Sequence, residues 1–217
     1  MAGADEICSQ LAQRSSPGDS KVWRAFSSSS GTVAGERVDA LGRIGQGPWY
    51  DYNGRLLARD LAGLLPDEDG RPSAAEPQLG DMFTDENGEN ARMPGQDNHD
   101  TLTGSDSCGR LFSDGVSGRI ATCEDWTSNT VHGAPANLGG IGGQVPVGHS
   151  WPRASGGFGN QPALGAHWIQ DHTINGCEPG LDVDGGMGAP ANDFRVGCGG
   201  GSGGFYCLAL GAVPPAF

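Results

Sequence analysis

The 217-residue sequence lacks the features of several common protein classes. It has no run of about eighteen or more apolar residues, so it predicts no membrane-spanning helix. Basic residues are few: 13 Lys and Arg stand against 26 Asp and Glu, which gives a net charge of −13. Such a charge repels phosphate backbones and anionic lipid head groups. We therefore expect neither a nucleic acid partner nor membrane insertion.

The cysteines also lack a metal-binding pattern. None of the six forms a C-x-x-C pair or a zinc-like spacing with histidine. An even cysteine count without such spacing indicates disulfides, which persist in oxidising compartments. We therefore expect a disulfide framework in a secreted or cell-surface protein.

Glycine and proline are abundant, with 39 and 14 residues, yet five Trp and seven Phe are spread along the chain. Disordered chains rarely contain so many large apolar side chains. The length suits one domain covering residues 1–217, in which regular structure is modest and ordered loops are long.

Patterns of apolar residues place the regular elements. A helical stripe at the N-terminus contains Ala4, Ile7, Cys8, Leu11 and Ala12 and puts Cys8 on the buried face. The segment "KVWRAFS" alternates like a strand, and Asn53-Gly54 predicts a hairpin followed by a helical turn. We place the scaffold at about 4–65, 100–127 and 194–210, and loop regions at about 66–100 and 131–193.

Four segments in order resemble the endostatin domain of certain collagens, a member of the C-type-lectin-like fold. They are "CSQLAQRSSPGDSKVWRAFSSSS", "TGSDSCGR", "CEDWTS" and the final "CGGGSGGFYC". Bacterial extracellular proteins of this type, rich in glycine and acidic residues, are more similar than the animal collagens. The resemblance implies an α+β, endostatin-like fold with three disulfides: Cys8–Cys207, Cys123–Cys198 and, from the remaining cysteines, Cys108–Cys177.

Two properties of animal endostatins do not carry over. Their heparin binding uses arginine clusters, whereas this chain is acidic. Their zinc site uses histidines at the N-terminus, and this chain has no histidine before His99.

Calcium is the cofactor that the sequence suggests. Asp67, Asp85 and Asp182 each begin an Asp-x-Asp/Asn-Gly stretch, the way calcium loops begin. The third lies between Glu178-Pro179 and Asn192-Asp193, which resemble the Glu-Pro and Asn-Asp pairs that bind calcium and sugar in C-type lectins. That likeness implies a calcium site at Asp182, Asp184, Asn192 and Asp193, with Glu178 also contacting the ligand. The simpler alternative is that these are solvated loop acids, and the sequence favours it.

Aromatic and histidine residues offer further candidates. Trp151 and Trp168 lie in or beside loops, where they could stack on sugar rings, although burial is the simpler interpretation. His149, His167 and His172 lie in one region with Cys177, but their spacing fits no standard zinc motif, which favours structural roles. Gly200-Gly201-Ser202-Gly203-Gly204 matches G-x-S-x-G only formally, because no strand-turn-helix context surrounds it.

The sequence thus predicts a non-catalytic extracellular recognition or adhesion module that binds a glycan or an extracellular protein through its loops, with calcium assisting. One alternative is a glycan hydrolase that uses two loop carboxylates. Another is a structural domain of a matrix or appendage.

Overall fold

The fold combines one long helix with small antiparallel sheets, as the expected α+β class requires. The structure, a computed structural model, describes residues 1–31, 35–67, 72–73, 83–89, 100–113, 122–127, 145–150, 167–174 and 204–211, without the side chains of 172–174. Its helical elements are α1 (Ala2–Ser15), a 3-10 helix (Ala40–Arg43), α2 (Leu61–Leu64) and a helical turn (Cys123–Trp126). Its strands are β1 (Trp23–Ala25), β2 (Trp49–Tyr50), β3 (Leu56–Ala58), β4 (Asp100–Leu102), β5 (Val145–His149), β6 (His172–Ile174) and β7 (Cys207–Ala209).

The strands form three sheets. β1 pairs with β7, β2 pairs with β3, and β5 lies between β4 and β6. The Asn53-Gly54 hairpin is confirmed, because β2 and β3 pair across it and α2 follows. None of the helices in the described ranges is long and apolar enough to cross a membrane.

Helix α1 is joined to the β1–β7 sheet by a disulfide and by the partly buried carboxylate of Asp5. Cys8 is fully buried, as expected, and bonds to Cys207, which pairs with Ala25 across the sheet. The Asp5 carboxylate accepts a hydrogen bond from the Ala25 amide (3.0 Å) and forms an ion pair with Arg43 (2.7 Å). The expected Cys8–Cys207 link is therefore confirmed, and it joins the first helix to the last strand.

The main core forms around an aromatic group. Trp168 is fully buried, and its ring centroid lies 4.8 Å from that of Phe26 and 5.3 Å from those of Phe83 and Tyr206. The Trp168 indole N–H donates to the Leu64 carbonyl (3.0 Å), which satisfies its one polar atom. The core thus connects α2, the residues before β6, and the start of the terminal strand.

Strands β5 and β6 correct one expectation, because both lie inside the stretch 131–193 that was expected to be a loop. The β5 sequence Val-Pro-Val-Gly-His does not have a typical strand pattern, because Pro146 cannot donate to a ladder and Gly148 has no side chain to show periodicity. The Pro146 carbonyl instead accepts from the Thr103 and Gly104 amides, both at 3.2 Å. Val145 and Val147 are fully buried, as a central strand requires.

Removing the terminal cross-link should destabilise the protein strongly. The Cys8–Cys207 disulfide spans 199 residues, so the chain-entropy model assigns it about 5 kcal/mol. The double variant Cys8→Ser/Cys207→Ser should lose about that much unfolding free energy in urea titrations. Cys108→Ser is the matched control, because that thiol is free and exposed; an equal loss in both variants would contradict the assignment.

Gly148 should tolerate no side chain. A Cβ there would lie 1.7 Å from the Trp168 carbonyl oxygen, so backbone would have to move. We expect Gly148→Ala to lower the unfolding free energy by about 3 kcal/mol. Gly42→Ala is the control, since nothing lies within 4 Å of its added carbon. Similar urea midpoints for the two variants would show that β5 can shift away from residue 168.

Candidate functional site

A histidine lies between two carboxylates at one end of the three-stranded sheet. The His149 Nε2 atom is 3.2 Å from Asp171 Oδ2 and 3.4 Å from Asp100 Oδ1. The side chains of His149, Asp100 and Asp171 are 8, 2 and 6 % exposed. We call these three residues the acid–histidine cluster. The Nε2 atom therefore faces a carboxylate on each of two neighbouring segments.

Backbone contacts hold the acid–histidine cluster together. Asp100 and His149 are directly paired residues of β4 and β5. The Asp171 amide donates to the Val147 carbonyl (2.8 Å), and the His149 amide donates to the His167 carbonyl (2.9 Å). The turn before β6 therefore extends the sheet, and it carries Asp171 to the imidazole.

Several buried polar atoms around the cluster lack a hydrogen-bond partner within the described part of the chain. They are Ser150 Oγ, His167 Nδ1 and Asp171 Oδ1. Most buried polar atoms in proteins are paired, so such a group marks a place where water or another molecule completes the contacts.

Tyr206 lies just before β7 and interacts electrostatically with Asp100 of the acid–histidine cluster. Its hydroxyl donates to the Trp168 carbonyl (2.8 Å). Burial raises the pKa of the Tyr206 phenol, and the Asp100 carboxylate raises it further, while a hydrogen bond with Thr101 opposes the shift. The phenol is therefore kept neutral, and it links β4 to residue 168.

Long segments begin and end beside this sheet. The stretch 151–166 leaves after Ser150 and returns at His167, next to His149. The stretch 175–203 leaves after β6 and returns at Gly204, whose carbonyl accepts from the Leu102 amide (2.8 Å). The scaffold thus fixes both ends of the two stretches that contain the predicted ligand residues.

Three Asp-x-x-Gly-x loops have the same hydrogen bonds. They begin at Asp51, Asp85 and Asp106. In each loop the Asp amide donates to the carbonyl of the residue four positions later, and the amide of that same residue donates back to the Asp carboxylate. The Asp carbonyl accepts from the glycine amide. The glycine φ is positive in all three, at 78, 82 and 70°. The motif is a self-capped turn.

The Asp-x-Asn-Gly stretch that begins at Asp85 forms one of these turns. Its Oδ1 accepts from the amides of Asn87 (2.8 Å) and Glu89 (2.9 Å). The pattern here therefore encodes a turn, and calcium binding at this stretch stays a prediction.

Two exposed tyrosines lie on the β2–β3 hairpin. Tyr50 and Tyr52 are each 55 % exposed, whereas Trp49 beside them is buried. A Cβ on Gly88 would lie 2.4 Å from Tyr52 Cδ1, so the Tyr52 ring rests directly on that glycine. Sequence reasoning did not single out this pair; the signal was two tyrosines at alternate positions leading into the Asn53-Gly54 turn.

The Cys-Glu-Asp-Trp turn is left-handed. Cys123 to Trp126 have φ of 48, 53, 55 and 67°, although none is glycine, and this conformation costs about 1–2 kcal/mol per residue. Asp125 stabilises it by accepting from the Ser30 amide (2.6 Å) and hydroxyl (2.7 Å). Trp126 donates to the Ser28 carbonyl (2.8 Å). The turn is therefore bonded to residues 28–30, which follow β1.

Most predicted ligand residues lie outside the described residues. These are Trp151, Glu178, Asp182, Asp184, Asn192 and Asp193. Trp168 is described, and its predicted ligand contact is wrong: it is fully buried in the core, so its ring is not available for stacking. Across the described ranges, no group of three or more His, Cys, Asp or Glu residues has the arrangement of a metal site.

The cysteines follow the expectation in part. Cys123 is disulfide-bonded, and the predicted partner Cys198 lies outside the described residues. Cys108 has a free thiol, so the expected Cys108–Cys177 bond is not formed in this structure. Cys108 lies in the self-capped turn at Asp106 and is exposed to solvent.

Protein-family models and curated proteins give no relative from which a site could be transferred. No protein-family model matches the sequence, and no curated protein matches it either. The endostatin-like resemblance of the four segments therefore stays a prediction.

The neutral Tyr206 phenol should make stability sensitive to alkali. Because its pKa in the folded protein is raised, its contribution is complete below the ordinary value of about 10 and is lost as pH rises above it. In urea titrations between about pH 9 and 11, the unfolding free energy of Tyr206→Phe should decline less steeply than that of wild type. At about pH 9 it should be about 1–2 kcal/mol lower than that of wild type. Tyr50→Phe, at an exposed position, should follow wild type; identical slopes in all three proteins would refute the assignment.

Proposed function

We propose that the protein is a non-catalytic extracellular recognition module with an endostatin-like, C-type-lectin-like scaffold. It binds a glycan or an extracellular protein through the segments that the scaffold anchors. The observation that carries this proposal is the anchoring of stretches 151–166 and 175–203 at both ends. Binding residues commonly lie on connections that a rigid scaffold positions.

The disulfides support the extracellular setting. Cys8–Cys207 closes nearly the whole chain, and Cys123 is also bonded. Stable cross-links of this kind form in oxidising compartments. The net charge of −13 also favours neutral or cationic partners over sulfated glycans and nucleic acids.

Calcium binding at Asp182, Asp184, Asn192 and Asp193 is part of the proposal. All four lie in the stretch 175–203, whose ends are fixed at Ile174 and Gly204. Carboxylate and amide oxygens are the kind of ligand that calcium binds in proteins.

The two alternatives make other demands on the structure. A glycan hydrolase needs two loop carboxylates that face the sugar; Asp100 and Asp171 do not supply them, because both are buried and face His149. A self-associating matrix domain would present a large apolar patch. The large exposed apolar side chains in the described part are Ile7, Val22, Tyr50 and Tyr52.

A glycan-array screen with and without calcium tests the proposal, with immobilised extracellular matrix proteins screened in parallel. We expect binding that weakens with EDTA, and a melting temperature that rises in millimolar calcium. The double variant Asp182→Asn/Asp184→Asn should lose the calcium response, because it removes two of the anionic ligands.

Asp85→Asn is the matched control, since it alters the same Asp-x-Asn-Gly pattern where the carboxylate caps its own loop. It should keep the full calcium response. Loss of the response in both variants would exclude the specific calcium site, and an absence of glycan and protein binding by the wild type would refute the recognition function.

A further inference from the structure

We infer that Tyr52 is a stacking platform for an uncharged pyranose ring of a glycan, with Tyr50 as a second contact on the same hairpin. The inference rests on the proposed recognition function and assigns it a site on the described scaffold. This site is formed by the β2–β3 hairpin and the loop at residues 85–89, and it needs no calcium.

The Tyr52 ring is in close contact with Gly88. A Cβ at Gly88 would overlap the ring atoms Cδ1 and Cε1, so the ring lies directly beside the glycine backbone. Tyr52 is nevertheless 55 % exposed, so much of the ring is open to solvent. A ring fixed in this way loses little conformational freedom when a ligand covers it.

Both loops at this contact are turns closed by hydrogen bonds. Asp51 is nearly buried and binds Arg55 through a 2.7 Å ion pair, which closes the hairpin that carries Tyr52. Asp85 caps the loop that carries Gly88 through two backbone amides. The platform is therefore preorganised by the two self-capped turns, and this gives their packing against each other a functional meaning.

The surroundings select the kind of ligand. The electron-rich face of an aromatic ring attracts the polarised C–H bonds on the apolar face of a pyranose. The exposed side chains on the two loops are Asn53, Glu86, Asn87 and Glu89, whose oxygen and amide groups can hydrogen-bond sugar hydroxyls. Their negative charge opposes sulfate and carboxylate groups, so the ligand is a neutral glycan.

Titration with defined oligosaccharides tests the platform. The probes are hexamers of β-1,4-glucose, β-1,4-mannose and β-1,4-N-acetylglucosamine, with a heparin hexasaccharide as the anionic comparison. We expect at least one neutral hexamer to bind in calorimetry and to shift the Tyr52 ring resonances in NMR spectra, also in EDTA. The heparin hexasaccharide should not bind.

Variants test whether the Tyr52 ring itself is responsible for binding. Tyr52→Ala should weaken binding at least about 10-fold, whereas Tyr52→Phe, which retains the ring, should stay within about 3-fold. Gly88→Ala should also weaken it, because the added carbon displaces the ring. Circular dichroism and melting temperature establish that each variant is folded.

The outcomes distinguish this inference from the proposed function. If neutral hexamers bind but Tyr52→Ala binds equally well, the platform is refuted while recognition stands. If no neutral hexamer binds at about 10 mM, a limit far weaker than useful affinity, the platform is likewise refuted. If Asp182→Asn/Asp184→Asn abolishes binding and Tyr52→Ala leaves it intact, the ligand binds through the stretch 175–203 and the platform is refuted.

Discussion

The closure of the chain by the Cys8–Cys207 disulfide is the constraint on which the other contacts depend. It fixes α1 on the sheet formed by β1 and β7, and Asp5 adds an ion pair to Arg43 across the same junction. The strands are only two to five residues long, so backbone pairing alone supplies little stability. A cross-link over 199 residues removes unfolded-state freedom that this modest amount of regular structure would otherwise have to offset.

Inside that closed chain, hydroxyl and carboxylate groups replace part of the usual apolar packing. The Ser28 hydroxyl contacts that of Ser105 (2.8 Å) and accepts from the Ala40 amide, while the Thr103 hydroxyl donates to the Ile169 carbonyl (2.7 Å). These bonds satisfy the backbone of irregular segments that would otherwise be buried without partners. The left-handed turn at residues 123–126 is stabilised in the same way by Asp125, whose Oδ1 accepts from the Ser30 amide and the Thr122 hydroxyl.

The acid–histidine cluster and the Tyr52 platform differ in their access to solvent. Asp100, His149 and Asp171 are buried, and they join β4 and β5 to the turn before β6. Tyr52 is exposed and lies against Gly88, so it is available to contact a ligand. In the proposed recognition function the buried cluster would support the scaffold and the exposed ring would contact the ligand, because a preorganised surface loses less freedom on binding.

The sequence by itself determined the local elements: the α1 stripe with buried Cys8, the strand at Trp23, the Asn-Gly hairpin, and the acidic charge. These follow from periodicity and turn chemistry within a few residues. Only the tertiary structure decided that Val-Pro-Val-Gly-His is a central strand, that Trp168 is core, that the Cys108 thiol is free, and that Tyr52 rests on Gly88. Each of these depends on which distant backbone lies opposite a residue, and a local pattern contains no information about that neighbour.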